Sequence, residues 1–140
     1  MRIFFSILSI AYIAVIFLFA GSPIVSTLAR YNPYSLLHIP LYGVLTFLLI
    51  FSFIPITQLP VNTLKQINQT DQRNEKNQRN SLLISALIAS IVGIADEIHQ
   101  AYVPGRDASV GDVLLDLVGI ILVLFFFSWL FKTKTSSRSL

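Results

Sequence analysis

The sequence contains no cysteine. That excludes a disulfide framework, a thiol nucleophile and a thiolate metal site. Charge is scarce too: Asp, Glu, Lys and Arg make up 12% of the 140 residues, about half the share of an average soluble domain. A soluble fold of this size must cover its surface with polar groups, and too few are present. With 54% apolar residues, the bilayer is the better solvent. At this length the chain is one domain at most. Acidic residues are the rarest charged class. There are seven, and five of them (Asp96, Glu97, Asp107, Asp112 and Asp116) fall inside "ADEIHQAYVPGRDASVGDVLLD", Ala95 to Asp116. The net charge of +3 does not point to nucleic acid, because the basic residues sit in loops and a tail.

What the chain does have is long apolar runs. Four hydrophobic segments are predicted, at about 3–20, 33–53, 82–102 and 110–131. Each reaches roughly the 20 residues that cross a hydrocarbon core. The third is apolar only to Ala95 and continues as a polar helical end. The expected fold class is all-α: an integral membrane four-helix bundle, one domain over 1–140. Residues 57–81 include "KQINQTDQRNEKNQRN", rich in Asn, Gln and charge with almost no apolar residue. They read as a flexible cytoplasmic loop. Residues 132–140 form a basic tail, a topology signal with weak attraction to anionic lipid. The first segment also has the form of a signal peptide, with one Arg, an apolar core and small residues after it. Its length favours a retained anchor.

Four crossings put both termini on one side. That side would carry Arg2, Lys65, Arg73, Lys76, Arg79, Lys132, Lys134 and Arg138, against only Arg30 and Arg106 on the other. Positive charge stays inside, so both termini are predicted cytoplasmic and the acid-rich stretch extracytoplasmic.

Helical spacing sorts the polar residues into faces. Ala86, Ser90, Gly93, Glu97 and Gln100 form one seam on segment three, with Asp96 beside it. Ser109, Asp112, Asp116, Gly119 and Val123 form a second on segment four. Both carry carboxylates at the outer end and a glycine deeper, and small residues allow close helix approach. The two seams are expected to face each other. Pro104-Gly105 marks the turn between them. Ser109 is the expected N-cap of segment four, with Asp112 at N3. Segment two supplies a third polar line, His38, Tyr42 and Thr46, one every four residues. Asn32 is its expected N-cap, Pro33 its N1 residue, and Pro40 is expected to kink it near His38.

Simpler roles are expected for several residues. His99 lies off the seam and reads as exposed. Tyr31, Tyr34, Tyr102 and Trp129 read as interface anchors, and Asp107 as a turn residue. Arg106 paired with Glu97 or Asp112 would only staple the hairpin.

The blocks "LLHIPLYGVL" and "ADEIHQAYVPGRDASVGDVLLDLVG" resemble the VanZ-like family of small bacterial membrane proteins. The shared pattern is His38, Asp96-Glu97-x-x-Gln100, Pro104-Gly105-Arg106, Ser109-x-x-Asp112 and Gly119. The family's frequent Lys ahead of the histidine is absent here, and Asp116 stands where relatives often have Asn. The resemblance implies a bacterial cell-envelope protein, and the family's namesake is associated with resistance to the glycopeptide antibiotic teicoplanin.

These residues carry the functional expectation. An outward-facing site would bind a cell-envelope ligand such as a lipid head group or a lipid-linked cell-wall intermediate. Arg106 would hold phosphate or carboxylate, with Asp96, Gln100, Asp116 and Tyr42 as further ligand contacts. Asp96, Glu97 and Asp112 are candidates to hold a divalent cation, Mg²⁺ or Ca²⁺. In an enzyme, His38 would be general base or nucleophile, with Glu97 or Asp112 as partner or general acid. A small transporter or a purely structural membrane protein would also accommodate these residues. Partners expected are membrane lipids and the envelope ligand, with self-association open to a bundle this small.

Overall fold

A computed structural model describes residues 2–20, 22, 36–54, 64–104, 106 and 108–136. These form four helices: α1 (Arg2–Ala20), α2 (His38–Phe53), α3 (Leu64–Gln100) and α4 (Val110–Ser136). No strand occurs among the described residues. The all-α, four-helix expectation holds. α1, the Glu75–Gln100 part of α3, and the Val110–Phe131 part of α4 are each long and apolar enough to cross a membrane.

α2 is the exception. Its 16 residues rise about 24 Å at 1.5 Å each, short of a hydrocarbon core of roughly 30 Å. It is also the innermost helix, with nine residues buried, including Tyr42, Leu45, Leu49 and Ile50. The other three helices pack around it, α4 most extensively. α1 buries only Ser9, Ile16 and Ala20. Its Ile3, Phe4, Ile7, Ile10 and Leu18 are exposed, as side chains facing lipid would be. Tyr102 and Trp129 are exposed as well, which suits interface anchors.

One expectation is corrected here. The hydrophilic stretch 64–81 is the first part of α3 and not an irregular loop. Gln, Lys, Arg and Glu are good helix formers, and no Gly or Pro interrupts 64–92. Polarity sets where that segment lies, in water, and not whether it is helical. α2 is described as an α-helix from His38, so Pro40 is its third residue. There its missing N–H is one of the donors that a helix start leaves unused. Asn32, Pro33, Tyr31, Tyr34 and Asp107 lie outside the described residues.

Two contacts set the helix spacing. A Cβ at Gly119 on α4 would collide with the backbone carbonyl of Ile39 on α2, and would lie 3.2 Å from the Gly43 nitrogen. The backbones of α2 and α4 therefore touch, as small residues permit. Below that crossing, rings fill the gap. Phe51 stacks on Phe5 of α1 with centroids 5.1 Å apart, and Phe127 of α4 meets Phe47 and Phe51 at 5.8 and 5.7 Å. At this same end Arg2 donates to the carbonyls of Ser52 and Phe53, and Ser81 of α3 donates to Phe53. These bonds occupy carbonyls that the end of α2 leaves free.

Candidate functional site

The opposite end of the bundle gathers the first residue of α2, the last turn of α3 and the first two turns of α4. One turn beyond the Gly119 crossing, His38 Nδ1 lies 2.8 Å from Asp116 Oδ1. An ionised Asp116 can only accept, which puts a ring proton on Nδ1; in the neutral imidazole the lone pair is then on Nε2. Nε2 is 4.0 Å from Asp112 Oδ2. His38 and Asp116 are both buried, at 5% and 2% exposure.

Gly93 makes room for this pair from α3. A Cβ there would be 2.9 Å from Asp116 Oδ2 and 3.4 Å from the Tyr42 ring. The two seams therefore meet at Gly93 and Asp116, as expected, while the deeper Gly119 turns to α2. Beside Gly93, Tyr42 donates to Asp96 Oδ2 over 3.3 Å, and Gln100 Nε2 donates to the same oxygen over 2.9 Å. Gln100 in turn accepts from Arg106 Nη2. A hydrogen bond from the Arg106 N–H to the Val103 carbonyl, 3.1 Å, closes the turn over Pro104 and folds Arg106 back.

Ser109 caps α4 as expected, its hydroxyl accepting from the Gly111 N–H at 3.1 Å. The other half of the capping box comes from outside the helix. Glu97 Oε2 on α3 accepts the Ser109 N–H at 2.8 Å, the bond that an N3 carboxylate usually makes. Glu97 thus ties the end of α3 to the start of α4.

The site brings together His38, Tyr42, Asp96, Glu97, Gln100, Arg106, Asp112 and Asp116. Several details differ from what spacing predicts. Arg106 reaches Gln100 rather than Glu97 or Asp112, and the ion pairs among the described residues both involve His38. The nearest partner of His38 is Asp116, at 2.8 Å, because one helical turn separates Asp112 from Asp116 and the Gly119 crossing brings in the deeper one; the expected Asp112 is the second partner, at 4.0 Å on the other ring nitrogen. Thr46 leaves the polar line, donating to the Tyr42 carbonyl of its own helix at 2.7 Å. His99 is half-buried against Phe17 of α1, ring centroids 5.5 Å apart, rather than exposed. Asp96 is not in the group whose oxygen and nitrogen atoms could share a metal ion. That group is His38, Glu97 and Asp112.

A cavity of about 470 Å³ opens beside the cluster. His38, Asp96, Gln100 and Arg106 form one side of its lining. The rest is apolar, from Val15, Ile16 and Phe19 of α1 and Leu41 and Val44 of α2, with Tyr12 among them. Val15, Phe19 and Val44 are themselves exposed, so the cavity is a groove on the lipid-facing side of the bundle. Helical spacing alone gives α1 no part in a site. Tyr12 is the signal it does carry, a phenol in the middle of an apolar helix, and its hydroxyl donates to the Leu41 carbonyl at 3.2 Å.

A sequence model of the VanZ/LLP1 family matches residues 5–132, reaching into all four helices. The chain belongs to the VanZ/LLP1 family. Neither a search among curated proteins nor one among solved structures finds a match. This VanZ/LLP1 chain is a membrane protein by its helices, and its polar residues converge at one end of them.

Proposed function

We propose that this VanZ/LLP1 protein binds an anionic amphiphile of the cell envelope, a lipid or a lipid-linked cell-wall intermediate. The head group would lie on Arg106 and Gln100, and the hydrocarbon chain would lie along α1 and α2. The observation that carries this reading is Arg106 Nη1. It is buried and without a hydrogen-bond partner among the described residues, on a groove whose other walls are apolar. A buried guanidinium N–H left unpaired is costly, and phosphate or carboxylate is the group its planar fork fits. At about 470 Å³ the groove is within the size range of small-molecule sites, roughly 300–1,000 Å³.

Loop charge supports an arrangement in which both termini are cytoplasmic and this end of the bundle faces outward. A role in glycopeptide resistance would use the same site, since such antibiotics act on the outer side of the membrane.

The experiment is native mass spectrometry of detergent-purified protein with phosphatidylglycerol, a polyprenyl phosphate and the zwitterionic phosphatidylcholine. The two anionic amphiphiles should remain bound, and Arg106→Ala should weaken them at least about tenfold, as loss of a charge-assisted hydrogen bond does. Equal retention of phosphatidylcholine, or no effect of Arg106→Ala, overturns the reading.

A second reading, an enzyme on such a substrate, rests on one feature. His38 is oriented by Asp116 and lines the same groove, the arrangement of a general base. Turnover of the bound amphiphile that disappears in His38→Ala would establish it, and binding without turnover would dismiss it.

A further inference from the structure

The geometry points to a binding site for a divalent transition metal, with Zn²⁺ the best fit, on His38, Glu97 and Asp112, with Asp116 orienting the histidine. Each of the three offers a ligand atom, and these atoms lie within 4.8 Å of one another. Zinc bonds of roughly 2.0–2.2 Å place tetrahedral ligand atoms roughly 3.3–3.6 Å apart. The group is therefore open by about an ångström relative to a loaded site. Asp112 is the only partly buried member of the three, so loading would have to draw its carboxylate inward.

Two observations separate this group from an ordinary acid cluster. Glu97 is 5% exposed, and Ser109 engages only its Oε2. Its Oε1 is buried with no partner among the described residues. A carboxylate oxygen in that state needs a cation or a donor, and no described side chain supplies one. The second is the histidine. Metal-ligating imidazoles almost always donate their other N–H to a carboxylate or carbonyl, which sets the tautomer and ring orientation. His38 has that partner in Asp116 at 2.8 Å, and its Nε2 is the nitrogen facing Asp112.

The ligand set also narrows the metal. Mg²⁺ and Ca²⁺ favour all-oxygen shells, whereas one imidazole with two carboxylates suits Zn²⁺ or Mn²⁺. Three protein ligands leave one position of a tetrahedron for water or a ligand oxygen. If Nε2 is protonated before binding, its proton leaves to solvent as the metal takes the lone pair. This site does not depend on the amphiphile reading.

The test is calorimetric titration of full-length, chelator-treated protein in detergent with ZnCl₂ and, separately, MgCl₂. One Zn²⁺ per chain is expected, with Mg²⁺ at least about 100-fold weaker. Asp112→Asn and His38→Ala should each abolish or strongly weaken Zn²⁺ binding. Asp116→Asn, which keeps the ligands but alters the histidine's support, should weaken it about 10–100-fold. His99→Ala should leave it unchanged. X-ray absorption of the Zn²⁺-loaded wild type gives a readout independent of any variant and should show imidazole scattering. Absence of Zn²⁺ binding, an unchanged affinity in Asp112→Asn, or a zinc shell without imidazole overturns the proposal.

Discussion

At the residue scale, several bonds of the polar cluster join side chains on different helices. The Tyr42 hydroxyl to Asp96 is such a bond. In membranes such interhelical bonds average about 0.6 kcal/mol and reach about 1.7. Tyr42→Phe should therefore cost about that much in reversible SDS unfolding, followed by Trp129 fluorescence. A loss above about 3 kcal/mol, well beyond that range, would mean that Tyr42 does more than bridge α2 and α3. Most members of this cluster are legible in the sequence, because four-residue spacing sorts His38 and Tyr42, and Asp112 and Asp116, onto common faces. The pairing between faces is not legible. Spacing along α4 does not say whether Asp112 or Asp116 meets His38. That is set by how deep the α2–α4 crossing lies, and Gly119 fixes it through the backbone of Ile39.

At the element scale, two glycines set separate quantities. Gly119 controls the distance between α2 and α4, where an added methyl meets backbone. Gly119→Ala should push the helices apart, with a stability loss of about 1–3 kcal/mol, the usual cost of overpacking. Gly93 faces the Asp116 carboxylate, the end of a side chain. Gly93→Ala should cost less in the same unfolding measurement, yet should disturb the His38–Asp116 pair, which a shift of the His38 ring resonances in NMR would register. Equal losses for both variants would contradict this division. The hydrophobic segments are visible as long apolar runs. The helical state of 64–81 is not, because polarity reports solvent contact and says little about backbone conformation. α2 is visible as apolar but not as short and central, since hydropathy does not distinguish lipid from protein interior.

At the scale of the whole molecule, the charge asymmetry makes a topological prediction. The chain has no cysteine to remove first. Single cysteines at Tyr102 and Arg79, both exposed, can be tested with a membrane-impermeant maleimide on intact cells. Tyr102→Cys should label from outside, and Arg79→Cys only after permeabilisation. The reverse pattern would turn the polar end to the cytoplasm and remove extracytoplasmic ligands from consideration. The groove is the whole-molecule feature least visible in the sequence. Its apolar walls come from two helices, α1 and α2, whose individual periodicities carry no sign of the space between them.

Glu97 has a double position whose consequence reaches beyond the site. Its carboxylate holds the amide of Ser109, the cap of α4, so whatever draws that carboxylate away also loosens the start of the next helix. Occupancy at this end of the bundle and order in the α3–α4 corner are therefore thermodynamically linked, each biasing the other by the same free energy. The corner would report on its own ligand. Hydrogen exchange at the Ser109 and Gly111 amides should quicken in Glu97→Gln, and in the wild type it should change when Zn²⁺ is added. An exchange rate indifferent to both would separate the cap from the site.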